Sequence, residues 1–441
     1  MKQNKYMRAI DHLVTNICSE EDIISFLKCI EDHFGDDWLK EKGKHKLQTL
    51  WQRRDALSTN ELFAIGKAIK SLTIEHKVWL KKTVTNIKKQ PDGAHGYITE
   101  IILASSITAD KSKTTPAPAN KPGYDVSLNG ENGKNILISV KNHDISKHYK
   151  EFLKYSENIR EKFISIINTL NISARLVVFF LKPISKELYK ECILMMHFKI
   201  KGYCDLHSID GIVNIRVIPF NEFNEKPVMT GTDLCIITAP FHKNEHLGFK
   251  SKLNQASENM KKHLPKNTDT LRMLYMRLHH AADIKILGEI ADQMILSDEE
   301  CGFDQVMLVQ PSVARTSDGR SSIHTCIYFS QPTQPTSERN ILEIYKDIGR
   351  IHYEFPVGTF SNSPANLILI DENKSGVELK QSYIYQKGII RIMAESKNDG
   401  SYWGEASSPA SGIHVVSCFN IDGQSFYVEG IKPEHEELLL I

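Results

Sequence analysis

The sequence has no Cys-x-x-Cys pair; its eight cysteines are scattered at positions 18, 29, 192, 204, 235, 301, 326 and 418. That spacing argues against a zinc ribbon or a disulfide framework and for a reducing compartment, so a cytoplasmic location is expected. No apolar run approaches the roughly 18 residues that a membrane-spanning helix needs. Met1 to Tyr6 opens a mixed polar stretch without an apolar core segment, so a soluble protein with no membrane partner is expected. An excess of charge is lacking too: 55 Lys and Arg stand against 54 Asp and Glu, a formal +1. Any nucleic-acid surface must therefore be a local patch. A Walker loop, a Gly-x-Ser-x-Gly elbow, a dinucleotide fingerprint and an internal repeat are all missing. Those absences turn the reading away from P-loop, α/β-hydrolase, Rossmann and solenoid chemistry.

What is present is an ordinary globular composition, 41% hydrophobic and 25% charged over 441 residues, enough for two to four domains. The most informative stretch runs from Gly123 to Asp144. Tyr124 to Leu128 and Ile136 to Val140 are rich in strand formers, and Asn129-Gly130 and Asn132-Gly133 lie between them. The pattern predicts a β-hairpin. Alternation puts Ser139 and Lys141 on one face of the second strand and Ile138 and Val140 on the other, with Asp125 and Ser127 together on the first. An acid, a hydroxyl and a lysine thus meet at one end of the hairpin. Taken singly, Asp125 and Lys141 would be a cross-strand ion pair worth under about 1 kcal/mol. Their joint arrangement points to a centre for a divalent metal and a nucleophilic water.

This pattern resembles the restriction-endonuclease-like nucleases, the PD-(D/E)xK superfamily, over roughly residues 94 to 182. The resemblance implies a mixed α/β sheet flanked by helices, with Asp125 as the acid of the first strand and Lys141 as the lysine of the second. Ser139 stands where the second acid usually stands. Glu100, on the preceding helix, matches the helix glutamate that many members carry, and Glu151 or Glu157 would supply the charge that Ser139 lacks. The resemblance also implies Mg2+ (or Mn2+) held by Asp125, a glutamate and the Val140 carbonyl, with DNA as substrate. A role in restriction or defence goes with it, as does a homodimer or a partner subunit for cutting both strands. Lys147, Lys150 and Lys154, with Asn142 and His143, would contact the nucleic acid. Two rivals stay open. One is an inactive nuclease-fold scaffold that binds nucleic acid or a protein partner, and the other is a nuclease acting on RNA.

Along the chain, residues 1–90 read as a helical module, with one helix after Ser19-Glu20-Glu21 and another opening at Ser58-Thr59-Asn60-Glu61. Residues 91–228 read as the nuclease-like α/β domain: a helix bearing Glu100, a polar loop over 108–122, the hairpin, a helix over 146–170 and a buried strand over Arg175 to Leu181. Residues 229–333 read as a second α/β module or an extension of the first, and Asn221 to Thr232 as the boundary between them. The helix over Lys250 to Lys262 is simply polar, and the His242/His246 and His279/His280 pairs have no acid helper. Ser330 to Ser337 reads as a linker into a β-rich C-terminal region, 334–441, in which Tyr402 and Trp403 pack on a sheet or stack on a base.

Overall fold

The computed structural model describes residues 6, 8–9, 18–43, 45–118, 123–172, 174–199, 207–209, 212–219, 234–264, 269–297, 301–315, 321–330, 335–355, 357–362, 368–370, 376–378, 381–388, 394–396, 402–404, 415–421, 424–430 and 438–440. The N-terminal part is helical, as its periodicity predicts: α1 (Glu20–Phe34), α2 (Asp36–Lys40), α3 (Lys46–Gln52), α4 (Ala56–Leu72) and α5 (Lys77–Lys89). Ser19 and Asp22 close a capping box on α1. Helix α4 begins at Ala56, ahead of the expected Ser58, because the Asp55 carboxylate accepts the Ser58 N–H and is held by Arg53. The two helices approach closely at Gly66, where a Cβ would stand 2.4 Å from the Phe26 carbonyl oxygen.

A turn after α5 leads into α6 (Ala94–Ser106), then β1 (Ile107–Ala109), β2 (Ser112–Pro116), β3 (Val126–Gly130) and β4 (Asn135–His143). The stretch expected to be loop over 108–122 therefore contains strands. Thr114 of β2 lies opposite Leu128 of β3, and its polar composition goes with a strand that is mostly half-buried. The hairpin is as predicted, with Val126 opposite Ile138 and Asn129 opposite Asn135. Its turn closes through Gly130 N–H to the Lys134 carbonyl (2.8 Å) and passes through Gly133 at φ +85°.

Next come α7 (Lys147–Leu170), β5 (Ala174–Phe180), α8 (Lys186–Lys199), β6 (His207–Ile209), β7 (Val213–Pro219) and β8 (Leu234–Pro240). They are followed by α9 (Leu247–His263), β9 (Thr270–Leu278), α10 (Ile284–Ser297), β10 (Gln305–Arg315) and β11 (Ser321–Phe329). The chain then forms α11 (Pro335–Ile348), β12 (Ile351–Tyr353), β13 (Thr359–Ser361), β14 (Ile368–Ile370), β15 (Gly376–Glu378) and β16 (Ser382–Gly388). Two short ladders come last, one of them pairing Trp403 with Glu395.

These strands build a nine-stranded mixed sheet in the order β12-β1-β2-β3-β4-β9-β10-β11-β13 and a five-stranded sheet in the order β16-β8-β5-β7-β6. The strand beside β4 is β9, paired in parallel with Ser139 opposite Leu274. It is not the apolar strand that follows α7, which the nuclease-like order leads one to expect there. The physical reason is α7: Phe152, Ile159 and Phe163 bury themselves with Leu176 and Val178 of β5 in a separate core. Both sheets take strands from 91–228 and from 229–333, so sequence order does not follow the sheets. The boundary expected at 221–232 lies outside the described residues. So do residues 331–334 of the linker expected at 330–337, whereas 335–337 are not linker but the start of α11, a helix at the head of the region expected to be β-rich. Ile344 and Ile348 of α11 join the main core, and β12 and β13 close the two edges of the large sheet.

Strand parity decides which core each residue enters. Ile136, Ile138 and Val140 face the N-terminal helices and α6, together with Leu271, Met273 and Tyr275. Leu274, Met276 and Leu278 face α9 and α10 with Phe249 and Leu287. The chain is thus a mixed α/β protein whose large sheet carries helices on both faces. Among the described residues no helix is long and apolar enough to cross a membrane, and six cysteines are free thiols.

Candidate functional site

The hairpin and α6 bring Glu100, Asp125, Ser139, Val140 and Lys141 together. Asp125 lies just before β3, with its N–H donating to the Ile138 carbonyl at 2.8 Å. Its Oδ2 accepts the Val140 N–H at 2.6 Å and the Ser139 hydroxyl at 3.5 Å. The Lys141 ammonium stands 4.0 Å from the same oxygen. Ladder geometry explains this. The Asn135 N–H and the His143 carbonyl bond toward β9, so odd-numbered residues of β4 pair there and even-numbered ones turn their backbone toward β3. At Val140 that side has opened, which leaves its N–H to the Asp125 carboxylate and aims its carbonyl along the same edge.

Glu100 enters from α6. Burial, and then the negative charge of Asp125, push its carboxyl up to about 8, against the opposing pull of Lys141. Glu100 and Asp125 are both half-buried, and the charges of Asp125 and Lys141 both act on Glu100. Two neighbouring carboxylates that cannot both ionise cheaply form a donor set that a hard divalent cation neutralises. Glu100, Asp125 and the Val140 carbonyl are the oxygen groups here that could hold such a cation. The set is lean: among the described residues no group of three or more His, Cys, Asp or Glu could hold a metal ion.

Neither migrated glutamate joins the cluster, which corrects the expectation for both. Glu151 is exposed and pairs with Lys147 at 3.9 Å. Glu157 accepts from the Tyr385 hydroxyl of β16 and pairs with Arg160 at 3.1 Å, on the five-stranded sheet. Helix α7 turns that side chain toward the second core because its apolar stripe is seated there.

The expected nucleic-acid contacts divide as well. Lys147, Lys150 and Lys154 are exposed on α7. Asn142 is half-buried, with Oδ1 3.4 Å from the Thr99 hydroxyl. His143 is buried between Phe249 and His279, and burial holds it down at about 4, which removes it from any surface. His242 stacks on His148 with ring centroids 3.7 Å apart. Lys252 of α9 escapes sequence reasoning altogether: its ammonium donates to the Asn142 carbonyl at 2.6 Å. Burial lowers its pKa, and the charges of Arg277 and Lys150 lower it further while Asp144 opposes them. Lys141, Lys252 and Lys150 therefore form a local positive edge at the end of β4. Lys252 lies more than 100 residues along the chain from β4, and no local signal marks it.

Comparisons with protein-family profiles, with curated proteins and with solved structures return no match to this chain.

Proposed function

We propose that the chain is a metal-dependent nuclease of the restriction-endonuclease-like type, hydrolysing phosphodiester bonds in DNA. One observation carries the reading: the mutual electrostatic contact of Glu100, Asp125 and Lys141, with Lys141 4.0 Å from Asp125 and the Glu100 carboxyl pushed up to about 8. A structural cross-strand pair does not need a third, half-buried acid beside it.

Glu100, Asp125 and the Val140 carbonyl would hold Mg2+ or Mn2+, which when bound supplies charge neutralisation at phosphorus and a more acidic water. Asp125 is oriented by the Val140 N–H, which donates to its Oδ2. Lys141 stabilises the negative charge that develops on the phosphoryl oxygens and positions the attacking water. Ser139 contributes a neutral hydroxyl to Asp125 and no charge. Lys150 and Lys252 draw the strand's phosphates toward the edge of β4.

Supercoiled and linear DNA incubated with magnesium, manganese or chelator tests this reading. The parent is expected to nick in either metal, and Lys141→Ala to lose about a hundredfold or more of the rate. Equal cutting by a folded Lys141→Ala protein sinks the proposal. The buried Ser139, in the place of a second acid, favours one rival, a nuclease-fold scaffold without cleavage. DNA binding indifferent to magnesium, with no product from the parent, is its signature.

A further inference from the structure

We infer that the exposed face of α5 binds the phosphate backbone of duplex DNA. From His76 to Pro91 the chain carries five lysines and no Asp or Glu, although its formal charge over all 441 residues is only +1. Leu80, Thr83, Val84 and Ile87 bury one side of the helix. Lys77, Lys81, Lys82 and Lys89 are exposed. The helical repeat sets these four along the opposite side, over about 18 Å from first to last. Among the described residues none of the four makes an ion pair or a hydrogen bond through its side chain. Elsewhere helix lysines are answered by acids, Lys147 by Glu151 at 3.9 Å and Lys261 by Glu258 at 3.0 Å. Glu75, just before α5, is taken by Lys113 at 3.1 Å. The fifth lysine, Lys88, turns inward to the Phe34 carbonyl (2.9 Å) and the Trp38 ring.

Folding alone does not account for this arrangement. Lys77 opens the helix, where the dipole disfavours a cation, with no acid in the first turn and no side-chain cap from His76. Lys77 and Lys81 stand four residues apart and repel each other. A polyanion removes both penalties, and release of its condensed counterions adds to the binding. A bilayer is the poorer fit. An interfacial helix offers its apolar face to lipid, and that of α5 is committed to the main core. The exposed Ile74 and Val78 at its start are too few to replace that face. The helix also leads toward the candidate centre: the Gly93 N–H donates to the Gln90 carbonyl at 3.0 Å in the turn that joins α5 to α6, the helix of Glu100. The choice of DNA among nucleic acids rests on the nuclease reading; the affinity for phosphates does not.

Fluorescence anisotropy of a short labelled DNA duplex with the full chain, in chelator and over a series of salt concentrations, tests the inference. The Lys77→Gln, Lys81→Gln, Lys82→Gln triple variant is expected to bind about tenfold or more weakly than the parent. Its slope of log affinity against log salt should be smaller by roughly 2–3. A control that removes the same charge elsewhere, Lys28→Gln, Lys42→Gln, Lys186→Gln, should bind as the parent does. All six side chains are exposed, so neither variant disturbs a core. No DNA binding by the parent, an unchanged affinity and slope in the triple variant, or an equal loss in the control overturns the inference. So does tighter binding of the parent to phosphatidylserine vesicles that the triple variant loses, which would make this face a membrane contact. Binding is read without metal, so a protein that binds through α5 yet never cuts keeps this surface and loses the nuclease reading. Cleavage by a parent whose DNA affinity the triple variant retains does the reverse.

Discussion

Glu100 is the residue on which the candidate centre turns, because its protonation reports the charges around it. Its folded pKa, about 8, lies above the ordinary carboxyl value of 4.5. A raised carboxyl favours the protonated folded state, so that contribution is complete below about 4.5 and is lost as pH rises through about 8. In chelator, Glu100→Gln is therefore expected to stabilise the protein by roughly 2–4 kcal/mol at pH 9 and by less than about 1 kcal/mol at pH 5. Urea unfolding at the two pH values measures the difference, and a constant offset would contradict the assigned environment. Ser139 offers the complementary change. It is 1% exposed, and its hydroxyl faces Asp125. Ser139→Glu buries a third acid beside two others, so it should cost about 1–3 kcal/mol without metal. Magnesium should restore most of that in thermal melts.

At the scale of elements, α7 shows how one helix redirects a whole reading. Its bounds follow from local signals, Ser146 as N-cap accepting from the Tyr149 N–H and Asn171 left-handed at φ 53° after the last turn. Its destination does not. The apolar stripe is compatible with either face of either sheet, and it is the match with β5 and β8 that takes Glu157 to Tyr385. Glu157→Ala is accordingly expected to lower stability by about 1–2 kcal/mol while leaving any DNA cleavage at the parent's rate. A matching loss of cleavage in a folded variant would return Glu157 to the centre. The hairpin behaves in the opposite way: alternation, Gly133 and the Asn129–Asn135 register are all local, so its pairing and faces are legible in the order of its residues.

At the scale of the molecule, distant segments lock the large sheet to the N-terminal helices. Leu438, Leu439 and Leu440 are buried in the main core. The N–H groups of Leu439 and Leu440 donate to the Glu61 carboxylate of α4, which is itself buried. Removing residues 438–440 takes away that apolar burial and two donors of an interior carboxylate. A loss of at least about 3 kcal/mol is expected, measured as a fall in the urea midpoint. An unchanged midpoint would mean that the strap is dispensable.

Periodicity, capping residues and turn glycines by themselves determined most elements, the hairpin and its two faces, and the grouping of Asp125, Ser139 and Lys141. Those features depend on neighbours within a few residues, where steric and hydrogen-bond rules act directly. Tertiary structure alone decided that β9 sits beside β4, that Glu151 and Glu157 stay away from Asp125, and that Lys252 and Arg277 arrive from afar. The runs at 175–181 and 271–278 are both apolar, and burial rewards either as a central strand. The choice between them rests on the packing of α7, which no local pattern encodes.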